Sequence, residues 1–326
     1  MKKKEMFLLA FCLLLLHRIS LAGEKKEEFP VVASKSFKLS GFAQFQYDHW
    51  DEGSKGFLIR RVRAGLAGDI LEKIHYKLQM DAVKSPILLD AQVEFDLTSR
   101  LALRIGQFKV PFSLENLTSS SALDTINRSQ TVEKLCPGRD IGSQGRDIGA
   151  ILIGKFSKIE WTLGVFNGSG INKVDANEQK DIAGRLVFQP LNFLTLAVSF
   201  YDGRYSPASG VPSTTRDRMG IEIFFLRSPL SLKGEYIWAK DSQVKKDGLY
   251  IQAGYFLIPK KLQFLVKFDS YDKNKDIATD RSNFVTIGLN WFFTEKTKFL
   301  INYEWHKEES GNISNFALLA QFQAGF

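Results

Sequence analysis

Along most of this chain apolar and polar residues alternate one by one. In "KIHYKLQMDA", Ile74, Tyr76, Leu78, Met80 and Ala82 alternate with His75, Lys77, Gln79 and Asp81. In "LDAQVEFDL", Leu89, Ala91, Val93, Phe95 and Leu97 alternate with Asp90, Gln92, Glu94 and Asp96. A period of two puts successive side chains on opposite faces of a β-strand. Sixteen such stretches are predicted: residues 36–48, 57–70, 73–84, 87–98, 100–109, 146–156, 158–166, 180–189, 192–202, 218–226, 230–240, 247–258, 261–270, 283–293, 297–306 and 314–326. Each is long enough to cross a bilayer as a tilted strand, about 9–11 residues. An even number of antiparallel strands closes a barrel, and closure leaves no unsatisfied backbone edge in lipid. The predicted fold is all-β: a sixteen-stranded antiparallel transmembrane β-barrel over residues 36–326.

The connections support this. Short turns such as "LEK", "TSR", "SK" and "PKK" follow even strands, and longer polar links such as "HWDEGSKG" and "YDKNKDIATDRS" mostly follow odd ones. That asymmetry separates a periplasmic from an external side. Tyr47, Trp50, Tyr236, Trp238, Tyr303 and Trp305 are expected toward the loop side, and Trp161, Trp291 and Phe293 toward the turn side. Two aromatic girdles mark the two membrane interfaces. One connection breaks the pattern. Residues 110–145, "VPFSLENLTSSSALDTINRSQTVEKLCPGRDIGSQG", carry no period-two run, yet contain too many Leu, Ile, Val and Phe for plain disorder. They are expected to fold into the barrel after strand 5, where their apolar residues would have something to pack against, and to narrow it; an external lid or a subunit-contact loop is the alternative.

The chain begins with Lys2, Lys3 and Lys4, an apolar run from Met6 to Leu16, and Ser20-Leu21-Ala22. This reads as a secretory signal peptide over residues 1–22. Residues 23–35 read as a polar leader. Removing Lys2, Lys3, Lys4, Arg18 and Glu5 leaves 40 basic and 35 acidic residues, a net charge of +5. An exported chain of this mild charge is not expected to bind nucleic acid. Cys136 alone remains after the signal peptide, so no internal disulfide forms.

Several stretches are similar to motifs of a known family. "GFLIRRVRAGLAG", "GQFKVPFSLE", "GRDIG", "GVFNGSG" and "KDIAGRLVFQP" resemble the phosphate-selective porin O and P family. The resemblance covers roughly the first half of the exported chain by motif and the second half by strand pattern. It implies a bacterial outer-membrane barrel, a homotrimer, that passes anions by diffusion. It also implies lumenal arginines and lysines that bind phosphate-like anions, polyphosphate included. The final Phe326 resembles the signal read by the barrel-assembly machinery, and lipid and lipopolysaccharide would surround the barrel.

With the apolar faces turned to lipid, Arg61, Arg63, Lys77, Arg104, Arg185, Lys233 and Lys267 point into the lumen. Lys109 at the end of strand 5, and Arg128 and Arg139 in the long loop, complete the candidate anion pathway. Basic rings in a narrow low-dielectric channel concentrate anions, and Arg meets phosphate oxygens with paired hydrogen bonds. Inward acids are also numerous, Asp81, Asp90, Glu94, Asp181, Glu222 and Glu235 among them, so a general non-specific porin remains open. A plugged structural or adhesive barrel is a further alternative. Arg60 takes lipid-facing parity near the loop end, where a charge costs about 0–1 kcal/mol. His49, His75 and His306 lack metal-ligand spacing, and Cys136 has no recognisable catalytic partner, so neither a cofactor nor enzymatic activity is expected.

Overall fold

A computed structural model describes residues 37–51, 53, 55–309 and 313–326. The expected signal peptide and polar leader lie outside the described residues. Sixteen antiparallel strands close a barrel in which each pairs with its sequence neighbours and the last returns to the first. They are β1 (Phe37–Trp50), β2 (Lys55–Leu71), β3 (Ile74–Asp81), β4 (Leu88–Thr98), β5 (Leu101–Lys109), β6 (Arg146–Phe156), β7 (Ile159–Phe166) and β8 (Asp181–Leu191). Then follow β9 (Leu194–Tyr205), β10 (Thr214–Arg227), β11 (Leu230–Asp241), β12 (Val244–Ile258), β13 (Leu262–Asp272), β14 (Arg281–Phe292), β15 (Lys298–Glu308) and β16 (Ile313–Gly325). The seam closes with Phe326 N donating to Gly41 O at 3.0 Å and Gly41 N to Phe326 O at 3.3 Å.

The barrel is inverted relative to a soluble protein. Phe45, Ile59, Ile221, Ile251, Leu289 and Ile301 are exposed on the outside, while Gln44, Glu222, Glu235, Lys267 and Asn302 are buried within. That inversion is what period-two strands must give when lipid is the outer solvent. Several strands run past the predicted ends on the loop side, because backbone pairing continues above the apolar band. β11 and β12, for example, pair out to Asp241 and Val244, so a predicted polar link shrinks to residues 242–243.

One strand departs from simple alternation in a way that matters. Between β1 and β2, Gln44 faces Arg61 but Phe45 faces Ile59, so Arg60 is an extra residue in a β-bulge. A bulge sets two residues against one and reverses the parity beyond it. Val62, Ala64 and Leu66 face outward on one side of it, and Ile59 and Phe57, not Leu58, on the other. Arg60 therefore points into the lumen with Arg61 and Arg63. The lipid-facing assignment of Arg60 is corrected by this register. Trp50 is likewise inward: it packs against the cluster of Ile126, Leu300, Ala317 and Leu319, edge-on to His306 at 5.5 Å. The girdle positions Trp238, Tyr303, Trp305, Trp291 and Phe293 are exposed on the outside.

The segment between β5 and β6 lies inside the barrel. It contains α1 (Leu114–Leu117), a short 3-10 turn (Ser120–Ala122) and α2 (Gln130–Leu135). Its Val110, Phe112, Val132, Leu135 and Cys136 are buried against inward side chains of the wall, including Phe108, Ile151, Phe166, Ile237 and Tyr250. Burying each such side chain contributes about 1.5–3 kcal/mol. The apolar content that set this loop apart in the sequence is thus matched by an apolar patch on an otherwise polar lumen.

The candidate anion pathway

The inward loop is anchored from several directions by side chains that point into the lumen. On β13, Asp269 accepts hydrogen bonds from Ser129 Oγ (3.0 Å), Gln130 N (2.5 Å) and both N and Oγ1 of Thr131 (3.3 and 2.9 Å). Gln130 N and Thr131 N are free N–H groups of the first turn of α2, so the carboxylate caps the helix from outside it. On β15, Asn302 Oδ1 accepts from Ile126 N at 2.7 Å, and Glu304 accepts from Asn127 Nδ2 at 3.0 and 3.1 Å. Lys233 Nζ reaches Asp124 at 2.5 Å, and Lys298 Nζ donates to Leu123 O at 2.6 Å. Burial disfavours the Asp124 carboxylate, but Lys233 and Lys298 outweigh it and hold its pKa below the usual range. Gly145 permits the closing turn: its φ is +75°, and a Cβ there would sit 1.9 Å from Asn116 Oδ1.

These anchors bring one set of cations together. Arg60, Arg61 and Arg63 from β2, Lys109 from β5, Arg146 from β6, and Arg128 and Arg139 from the loop act electrostatically on one another. The expected residues Arg61, Arg63, Lys109, Arg128 and Arg139 belong to this cluster. Arg60 joins them because of the bulge. Arg146 joins at the start of β6; its place in the basic loop sequence was the available signal.

Their hydrogen bonds differ. Arg63 is bonded at all three nitrogens: Nε donates to Asp81 at 2.9 Å, Nη1 to Ser120 Oγ at 3.0 Å and Nη2 to Gln144 Oε1 at 3.0 Å. Phe42, an apolar residue on the polar face of β1, lies beneath this guanidinium at 5.9 Å. Lys109 holds three carbonyls at the end of α1, those of Asn116, Leu117 and Thr118, at 2.6, 3.2 and 2.9 Å. Arg128 donates to the carbonyls of Glu115 and Thr118, both at 2.9 Å. Arg139 pairs with Glu133 at 2.7 Å, and Arg146 with Asp90 at 2.6 Å. Arg60 donates to Gln46 at 2.8 Å and to Asn127 at 2.7 Å. Arg61 makes a single contact, to Gln44 Oε1 at 2.8 Å, and among the described residues its other N–H groups meet no protein acceptor.

Arg60, Arg61 and Lys109 have no carboxylate within 4.0 Å among the described residues. Burial first, and then the neighbouring Arg139, push the Arg128 guanidinium down to about 10. The site therefore disfavours its own positive charges, and an anion placed among them would relieve that cost.

The other expected residues lie elsewhere or are neutralised. Lys77 shares Asp90 with Arg146, at 2.8 Å, and flanks the cluster. Arg104 is paired with Glu94 at 2.5 Å and Arg185 with Glu222 at 2.5 Å. Neither joins the cluster. Parity alone placed them correctly in the lumen, but it carries no information on which inward acid lies across the next strand. Below the loop, a cavity of about 160 Å³ is lined by Ser40, Arg63, Gln79, Ser119, Ser121 and Lys296. Among the described residues no group of three or more His, Cys, Asp or Glu side chains is arranged to hold a metal ion.

The family model for phosphate-selective porin O and P matches residues 39–213 and 208–315. The chain belongs to that family. It is a barrel porin of a bacterial outer membrane. Among solved structures, this porin is similar to an anion-selective porin from Comamonas acidovorans, with a TM-score of 0.72 at 14% identity over 89% of this chain and 99% of that one. The outer-membrane channel DcaP of Acinetobacter baumannii matches with a TM-score of 0.64 at 13% identity, over 93% and 100%. OmpT of Vibrio cholerae in its trimer form matches with 0.62 at 8%, over 89% and 99%. No curated protein sequence matches the chain. At these identities the structural likeness establishes the fold.

The porin's family motifs acquire a physical reading. "GRDIG" occurs twice, at residues 138–142 and 145–149. In the first copy Asp140 ties the loop to Arg216 (3.0 Å) and Arg218 (2.8 Å) of β10. In the second, Asp147 accepts from Gly168 N at 2.7 Å and Gly170 N at 3.2 Å, within "GVFNGSG". Asp181 of "KDIAGRLVFQP" accepts from Tyr201 and from Arg204 N. These acidic residues hold the loop and the neighbouring turn in place.

Proposed function

We propose that this porin is a passive diffusion channel that prefers small anions, phosphate among them, and that the anion passes the basic cluster at Arg61. The observation that carries this reading is the crowding of seven cations onto one quadrant beside the loop, with three carboxylates, Asp81, Asp90 and Glu133, in contact with them. The anion selectivity named for the Comamonas porin agrees with it. The candidate pathway is Arg61 with Arg60, Arg63, Lys109, Arg128 and Arg139 around it. Lys77, Arg104 and Arg185 serve mainly to balance lumenal acids.

Reversal potentials in planar bilayers under a KCl gradient test the reading. A chloride-side reversal is expected, and a clear cation preference would overturn it. The density of loop anchors on both sides of the lumen favours one competing reading, a barrel plugged by its own loop. Single-channel conductance no greater than bare lipid would establish that alternative. We further infer a homotrimer, by analogy with the trimer form of OmpT, and assembly through the terminal Phe326, which is 64% exposed at the turn-side end of β16.

A further inference from the structure

The loop between β13 and β14 carries chemistry that anion passage does not use. Its sequence from Asp272 is "DKNKDIATD", with oxygen-bearing side chains at Asp272, Asn274, Asp276 and Asp280. That spacing matches the first, third, fifth and ninth positions of a calcium-binding loop, with Ile277 where such loops usually carry glycine. The backbone is already coiled in that sense. Asn274 N donates to Asp272 Oδ1 at 3.1 Å, and Asp276 N to Asn274 Oδ1 at 3.1 Å.

The independent observation is Asp280. It is 7% exposed, and neither carboxylate oxygen has a hydrogen-bond donor among the described residues. It faces the carboxylate of Asp272. Asp272 is itself occupied on one side by Arg281, at 3.0 Å, which also reaches Asp247 at 3.3 Å. Lys275 is drawn off by Asp247 as well. Lys273 acts on Asp280 only at a distance and makes no ion pair with it, so a covered carboxylate is left pressed against a second one. Such a pair must gain a proton or a cation.

We propose that residues 272–280 bind a divalent cation of the calcium class, held between the carboxylates of Asp280 and Asp272 with oxygens of the same turn completing its shell. Two carboxylates with neutral oxygens suit a hard cation that takes six to eight oxygen ligands. Affinity in the range of extracellular calcium modules is expected, about 10⁻⁴–10⁻³ M. The cation would fasten the loop-side rim and place positive charge at the mouth of the channel.

Terbium luminescence on the full-length barrel in detergent tests the proposal. Tyr271, adjacent in the chain, and Tyr236, whose hydroxyl donates to Asp247 at 2.7 Å, lie close enough to sensitise bound terbium. Sensitised emission that millimolar calcium displaces is expected. Asp280→Asn should raise the half-displacing calcium concentration at least 10-fold or abolish the emission. It removes no hydrogen bond among the described residues, so the barrel should fold. Asp217→Asn, an exposed acid on β10, should leave the emission unchanged. No calcium-displaceable emission from the parent barrel would mean that the two carboxylates share a proton, and would overturn the proposal. Equal emission from Asp280→Asn and the parent would overturn it too.

Discussion

Replacing Arg61 by alanine should weaken anion handling without weakening the barrel. Arg61 has one hydrogen bond, to Gln44, and no carboxylate partner among the described residues, so its loss leaves no buried charge stranded. A phosphate oxygen passing about 6 Å from that guanidinium would feel about 0.7 kcal/mol of attraction at the dielectric of water and about 3 kcal/mol at an effective value near 20. Those limits correspond to about 3-fold and about 100-fold in occupancy, and a lumen part water and part protein puts the expected loss near 10-fold. The assay is block of single-channel chloride current by added phosphate. It should be run near 0.1 M salt, where the screening length is about 10 Å; at 1 M it falls to about 3 Å and the difference should largely vanish. The paired control is Arg63→Ala. That change leaves Asp81 buried and unpaired and frees Ser120 and Gln144, so it should mix a loss of block with a loss of stability. Phosphate block of Arg61→Ala within 2-fold of the parent at low salt would refute the argument that the free guanidinium lies on the path.

Other substitutions separate the loop from the path. Asp269→Ala removes the outside cap of α2, each hydrogen bond to the charged carboxylate being worth about 1.5–3 kcal/mol, and should give noisier, larger single-channel currents. Phe112→Ala should cost about 3–5 kcal/mol in urea unfolding, because the ring is fully buried between the loop and the wall. Arg185→Leu breaks a buried pair with Glu222 and should destabilise by about 3–5 kcal/mol while changing phosphate block less than Arg61→Ala. The clamp at Asp124 has a definite pH sign. Its carboxyl titrates below 3.8 in the folded barrel, so the ion pair with Lys233 contributes fully above that value and is lost as the pH falls through the lower folded value. Conductance should therefore be steady through neutral and mildly acidic pH and become unstable only below about 4; Asp124→Asn should show that instability at neutral pH.

The strands were legible in the sequence because alternation follows from local geometry: a strand that faces lipid on one side and water on the other must repeat every two residues. All sixteen appear at the predicted places, with ends displaced where pairing runs beyond the apolar band. The unusual loop was also legible, since Val110, Phe112, Val132 and Leu135 are apolar without alternating. Inward parity was correct for the charged residues of regular strands, Lys77, Arg104 and Arg185 among them.

What alternation could not supply was the relation between strands and the fate of each charge. The bulge opposite Gln44 is a property of the β1–β2 register, and one inserted residue turns Arg60 from the lipid to the lumen. Arg61 and Arg63 are two positions apart on one face and are equivalent in the sequence. The loop, arriving from 57 positions further along at Ser120, engages Arg63 and leaves Arg61 free. Side-chain direction is set within a few bonds of the backbone, so the sequence determined which residues enter the channel. Neutralisation depends on what stands across the lumen, and only the tertiary structure decided which of those charges stay available to an anion.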